Sequence, residues 1–202
     1  ERPHQAANEV HRDDVEVSRE MRQTMERQVE HLVRLVDDLL DVSRLTTGQI
    51  TLRRQPVDVR DIVADALDTC REVVATRRHR VTTRFPSAAA GALLVNGDRI
   101  RLVQVVTNIL NNAAKFTEPG GEIAIDACAR DGAFEICVRD NGIGISADRL
   151  PRIFDLFFQS DQSPDRARGG LGVGLTLARR LVDLHDGTLT ASSPGTGRGS
   201  EF

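Results

Sequence analysis

The chain has 202 residues, 40% of them hydrophobic and 28% charged, with a formal net charge of −3. That is the composition of a globular protein with one real core and a smaller appended element, and it excludes a strongly electrostatic partner such as nucleic acid. No run approaches the ~18 consecutive apolar residues of a membrane span and no signal peptide is visible, so the fragment itself is expected to be cytoplasmic and to make no membrane contact. Glu1 is not a Met, so a longer, membrane-anchored parent stays open.

Residues 1–16 show no apolar periodicity and read as an irregular lead-in. From Met21 to Leu45 the pattern changes: Met25, Gln28, Leu32, Leu35, Leu39 and Val42 alternate spacings of three and four, and Val29 and Val36 widen the stripe. That is a heptad seam of a long helix, which needs a partner helix or a second subunit to cover it. Gly48 closes the helix, and residues 49–57 read as a turn and a short strand. Asp58 is placed to cap an amphipathic helix with Val59, Ile62, Val63, Ala66, Leu67, Cys70 and Val74 on one face. Two strand-like runs follow (VTTRF and ALLV), and Asp98 opens a further helix through Lys115.

EIAIDACAR and FEICVRD alternate like a hairpin turning at Asp131-Gly132. Glycine-rich stretches come next at 141–145 and 169–174, then a helix from Gly172 to His185 and a strand-like TLTASS. The layout is α+β: a helical piece, then a mixed or antiparallel sheet covered on one face by helices. Cys70, Cys128 and Cys137 are unpaired in spacing and fall within these elements, so all three are expected to be buried and reduced.

Chemistry-bearing residues concentrate in four segments. Asn108, Asn112 and Lys115, at spacings of four and three, share one side of a helix, where two amides and an ammonium can hold a hydrated Mg²⁺ and phosphate oxygens. Lys115 is the sole lysine among 27 basic residues, a position kept for a compact point charge. Asp140-Asn-Gly142-Ile-Gly144 ends a strand: the carboxylate can accept from an exocyclic amine such as adenine N6, and the glycines let a flat ring approach the backbone. Gly169-Gly170-Leu171-Gly172-Val-Gly174-Leu175 leads into a helix N-terminus suited to polyphosphate. Gly195-Thr-Gly-Arg-Gly199-Ser reads as a turn of little independent weight.

Taken in order, NILNNAAKFT, DNGIGI, IFDLFFQ, GGLGVGL and GTGRGSEF resemble the N, first glycine, F, second glycine and terminal glycine motifs of bacterial sensor histidine kinases. VEHLVRLVDDLLDVSRL resembles the second helix of their dimerisation and phosphotransfer hairpin. The resemblance covers residues 17–202 and implies a partial hairpin over 17–47. After it, residues 48–202 would form a Bergerat-type ATP-binding sandwich, the fold shared with gyrase and MutL. It further implies ATP and Mg²⁺ as cofactors, with Asn112 on the metal, Asn108 near metal and phosphates, Lys115 on phosphate and Phe116 beside the nucleotide. Asp140 would read adenine within a pocket shaped by Gly142 and Gly144, with Gly170, Leu171, Gly172, Gly174 and Leu175 along the phosphates.

By the same resemblance, residues 155–170 form a lid based on Phe154, Phe157 and Phe158, with Arg166 or Arg168 reaching the γ-phosphate. The hydrolysing relatives carry a glutamate at the position of Asn108, and an amide has no useful basicity, which favours transfer over hydrolysis.

None of His4, His11, His31, His79 and His185 matches the family's phosphoacceptor motif; each reads as structural or solvated, and a cationic His185 ring would suit a helix C-terminus. The acceptor histidine is therefore expected outside this fragment. The partners implied are that acceptor hairpin, a response-regulator receiver domain and a second copy meeting the 21–45 helix. The far end also stops short of the family's usual closing strand. Two rival readings of the fold are a non-catalytic ATP sensor and an anti-sigma-type protein-serine kinase.

Overall fold

The computed structural model describes residues 50–86, 93–130, 133–158 and 171–202, together with positions 21, 22, 25, 28, 29, 33, 36 and 40. The chain divides into two compact units, Glu1–Ser43 and Arg44–Phe202. In the first, Met21, Met25, Val29, Val33, Val36 and Leu40 are helical and exposed, at the spacings of one helix face. The seam positions Leu32, Leu35, Leu39 and Val42 lie outside the described residues.

The second unit contains β1 (Gln55–Asp58), α1 (Val59–Thr76), β2 (Arg80–Arg84), β3 (Leu94–Gly97), α2 (Arg99–Phe116), β4 (Glu122–Arg130), β5 (Ala133–Asp140), α3 (Gly174–Leu184) and β6 (Ser200–Glu201), with a 3₁₀ turn at Leu150–Arg152. The main sheet runs β2-β4-β5-β6; β2 is parallel to β4 and the other neighbours are antiparallel. β1 and β3 form a separate antiparallel pair with Gln55 opposite Gly97. Both capping aspartates act as their sequence position suggests. Asp58 accepts from the Arg60 amide at 2.9 Å, and Asp98 from the Arg101 amide at 3.3 Å, each satisfying a donor that the first helical turn leaves orphaned.

One core joins the apolar faces of the three helices to the inner face of the sheet: Ile62, Val63 and Ala66 from α1, Val106 and Leu110 from α2, Leu177 and Leu181 from α3, and Ile123, Ile125 and Val138 from the strands. Leu177 and Leu181 have no exposed surface; truncating either to Ala would cost about 2–5 kcal/mol. No helix among the described residues is long and apolar enough to cross a membrane.

Three expectations need correction. Cys70 is buried, and that burial pushes its thiol up to about 11, but Cys128 is exposed and Cys137 only half-buried. The cause is strand parity: Ile123, Ile125 and Ala127 of β4 point inward, so Cys128 points to the other face, and Cys137, opposite Asp126, shares that face. TLTASS forms no strand beyond a single bridge from Ser192 to Glu201, in β6, which is itself two residues long. Gly172 stays outside α3, since its φ of +74° is left-handed.

Candidate functional site

α2 buries Val105, Val106, Ile109, Leu110, Ala113 and Ala114, which turns the half-exposed Asn108, Asn112 and Lys115 away from the core. The Asn108 amide donates from Nδ2 to the Gly174 carbonyl at 3.2 Å, so α2 meets the first turn of α3 at this point and the Asn108 Oδ1 remains an acceptor. A Cβ on Gly174 would lie 3.6 Å from that amide, ordinary contact. The Asn112 side chain makes no hydrogen bond to any described residue. The Lys115 Nζ lies 4.9 Å from the centre of the Phe116 ring, a cation–π distance. No group of three His, Cys, Asp or Glu side chains among the described residues could hold a metal ion. Asn112 and Asn108 offer amide oxygens that could hold a cation together with water. That is a donor set suited to Mg²⁺, which keeps several waters and few protein ligands.

The far side is built around Asp140, the last residue of β5. Its Oδ1 accepts from the Gly142 amide at 2.9 Å and its Oδ2 from the Ser200 hydroxyl at 2.5 Å. The carboxylate is thus held in one orientation while each oxygen keeps a free lone pair. Gly142 lies against the end of α2: a Cβ there would sit 2.2 Å from the Phe116 carbonyl oxygen, which already accepts from the Ile143 amide at 3.0 Å. The terminal loop locks onto the same segment, the Gly197 amide donating to Ile143 at 2.7 Å and the Gly199 amide to Gly142 at 3.0 Å. The Ser193 hydroxyl accepts from the Ile145 amide at 2.9 Å and donates to the Gly199 carbonyl at 2.6 Å. Gly195–Gly199, which reads as a mere turn in the sequence, is a wall of the Asp140 loop.

Of the second glycine segment, Leu171, Gly172, Gly174 and Leu175 are described, whereas Gly169 and Gly170 lie outside the described residues with Arg166, Arg168 and the rest of 159–170. Gly172 accepts from the Phe157 amide at 3.2 Å, and a Cβ on it would sit 2.7 Å from the Phe158 carbonyl oxygen. Thr176 donates to the Phe154 carbonyl at 2.9 Å, and Arg179 stacks on the Phe154 ring. The expected base of the lid is therefore bonded to the start of α3.

His4, His11 and His31 lie outside the described residues. The buried His79 bonds the Ala114 carbonyl through Nε2 at 2.9 Å. His185 accepts from the Asp98 amide at Nε2 and bonds the Leu181 carbonyl through Nδ1. Both ring nitrogens of His185 are therefore engaged within the fold, which gives it the structural place expected of it. Sequence reading gave no role to Ser200, Ser193, Thr176 or Arg77, and the structural place it gave His79 is borne out by the bond to Ala114. None has a spacing signal, because each reaches the site only through tertiary pairing.

A helix-backed mixed sheet with this arrangement of amides, carboxylate and glycine loops defines a class of nucleotide-binding fold. The chain belongs to the histidine kinase-, DNA gyrase B- and HSP90-like ATPase family, which matches residues 97–202. Among similar proteins, the signal transduction histidine-protein kinase BaeS of Escherichia coli is 32% identical over 169 residues, covering 84% of this chain and 35% of BaeS. The histidine protein kinase DivJ of Caulobacter vibrioides is 36% identical over 163 residues, 81% of this chain and 27% of DivJ. A structure of full-length ShkA in complex with AMPPNP superposes with a TM-score of 0.73 at 29% identity, covering 85% of this chain and 35% of that one. The mycobacterial sensor histidine kinase MprB gives a TM-score of 0.61 at 26% identity, over 73% of this chain and 93% of that one. The chain thus spans only about a third of the length of such curated relatives.

Proposed function

We propose that this chain is the ATP-binding catalytic module of a sensor histidine kinase, working in the cytoplasm. It would transfer the ATP γ-phosphoryl group to a nitrogen of a histidine outside the fragment, for relay to a response-regulator aspartate. The observation that carries this reading is the pairing of a fixed carboxylate with an unengaged amide across one site. Asp140 is oriented by Gly142 and Ser200, and Asn112 stands with its side chain unbonded to the described residues. Asp140 accepts from the adenine amine, and Gly142 and Gly144 shape the pocket by letting its backbone pack on Phe116 and Gly195. Lys115 places its ammonium on the phosphate side, with Phe116 packed beside the nucleotide. Leu171, Gly172, Gly174 and Leu175 border the polyphosphate together with Gly170.

Asn112 and Asn108 would hold Mg²⁺, which neutralises developing charge on the transferred group. Asn108 offers no base to activate water, so the site favours an incoming histidine nitrogen over hydrolysis. Catalysis then rests on positioning and charge neutralisation rather than proton transfer by the protein. The exposed helical stripe Met21, Met25, Val29, Val33, Val36 and Leu40 supports pairing of residues 17–47 with a hairpin partner or a second copy.

Calorimetric titration of ATP with Mg²⁺ tests the reading. Saturable binding to the wild-type chain is expected, and Asp140→Ala should abolish it without unfolding the protein. Subsequent phosphorylation of a separately supplied acceptor hairpin would establish transfer. Undiminished binding by Asp140→Ala would remove Asp140 from the site, and ATP bound without transfer would leave a nucleotide sensor.

A further inference from the structure

An α-helix leaves its last four carbonyls without intrahelical partners. In α2 these belong to Ala113, Ala114, Lys115 and Phe116, the turn that carries Lys115 and directly follows Asn112. All four are satisfied. The Thr117 amide donates to Ala113 at 3.0 Å and the Ile143 amide to Phe116 at 3.0 Å. The other two donors come from the connection between α1 and β2: the His79 ring reaches Ala114 through Nε2 at 2.9 Å, and the Arg77 guanidinium reaches Lys115 through Nη1 at 3.1 Å.

His79 is 8% exposed, and its ring Nδ1 is buried without a partner. Among the described residues the ring's hydrogen bond is therefore the bond to α2, and leaving Nδ1 buried without a partner costs stability. The connection is itself anchored to the segment after α2: the Gly120 amide donates to the Arg77 carbonyl and the Arg80 amide to the Gly121 carbonyl, both at 2.9 Å. The Arg77 charge also lies at the negative end of the α2 dipole, where a cation is favoured.

We propose that Arg77 and His79 are positioning residues which fix the final turn of α2, and through it the aim of Lys115 and Asn112 at the phosphates; this rests on the nucleotide site proposed above. Neither side chain touches the nucleotide. The adenine end meets the same turn at Phe116, through the Ile143 amide, but is held besides by Ser200 and the terminal glycine segment, so the larger effect of losing Arg77 and His79 falls on phosphate recognition.

The experiment compares ATP·Mg²⁺ with adenosine, which lacks phosphate, on the wild-type chain, on the double variant Arg77→Met/His79→Phe, and on the donor-restoring variant Arg77→Lys/His79→Gln. ATP·Mg²⁺ affinity should fall about tenfold in the first variant, while adenosine affinity stays within about twofold. The second variant should recover most of the loss. Equal losses for both ligands would reduce the pair to general stability and overturn the proposal, as would wild-type affinity for both. Should His79→Phe fail to fold, the half-exposed Arg77→Met carries the same comparison alone. A wild-type chain that binds neither ligand would overturn the nucleotide site itself, and this inference with it.

Discussion

Around Asp140, the loop after β5 and the terminal glycine segment hold each other through backbone amides and two serine hydroxyls. Asn112, on the other side of the same site, makes no side-chain hydrogen bond to any described residue. The first region is finished before a ligand arrives. The second presents the Asn112 amide, which would gain its partners from phosphate and metal, beside Asn108 on Gly174 and Lys115 over the Phe116 ring. Preorganisation of this kind lowers the ordering cost of binding at the base end, and it leaves the phosphate end dependent on what is bound. The contrast predicts that substitutions which displace the backbone around Asp140 damage the fold and the site together, whereas side-chain substitutions at Asn112 damage binding alone.

The harshest test is Gly199→Ala. Gly199 has a φ of +71°, and a Cβ there would sit 2.0 Å from the Asp140 carbonyl oxygen, a backbone atom that cannot swing aside. Steric displacement adds to left-handed strain, and a loss of about 3 kcal/mol or more is expected in denaturant unfolding, with ATP binding abolished. Gly197→Ala separates the two causes, because Gly197 has a similar φ of +77° but nothing within 4 Å of a new Cβ. Strain alone should cost it about 1 kcal/mol. Equal losses for the two variants would mean that the Asp140 loop yields, and that this region is less rigid than its bonds suggest.

Asp98→Ala probes the start of α2, away from both ends of the site. Burial of the Asp98 carboxyl acts to raise its pKa, but the amides of Arg53, Arg101 and Ile100 and the Arg101 charge together outweigh it and hold the carboxyl below the usual range. A carboxylate depressed in the folded state stabilises at pH above its unfolded value, near 3.9, and loses that contribution as pH falls through the folded value. The variant should be about 1–2 kcal/mol less stable at neutral pH, with the gap to wild type narrowing as pH drops below about 4. A gap independent of pH would show that the caps act sterically rather than through charge.

The helix starts at Asp58 and Asp98, the hairpin of β4 and β5 and the motif residues on α2 were legible because each is written in a contiguous stretch: a cap before an apolar period, alternation around a turn, amides at spacings of four and three. What was not legible is what tertiary pairing creates. Ser200 reaches Asp140 only because β5 and β6 pair in a register that puts those two residues opposite each other. Arg77 and His79 meet α2 across 38 and 35 residues of sequence. Alternation in TLTASS suggested a strand, but a strand also needs a partner of equal length, and periodicity says nothing about the partner. Cys128 failed in the same way: its strand was right, and the side of the strand was decided by parity with Ile125 and Ala127.

Asn112→Ala carries the smallest expected change in stability and the most direct reading of the phosphate end. The side chain is half-exposed and unbonded to the described residues, so its removal should shift unfolding by less than about 0.5 kcal/mol. Its contribution is expected only when metal and triphosphate are both present. Affinity for ATP should fall with Mg²⁺ in solution and match wild type when a chelator removes the metal, because an amide oxygen without a cation has little to offer a phosphate oxygen, acceptor facing acceptor. A loss of equal size with and without Mg²⁺ would move Asn112 from the metal to a direct amide–phosphate hydrogen bond through Nδ2. The phosphate end would then be read by donors alone, Lys115 and Asn112 together, and the metal would have to be held by Asn108 and the phosphates.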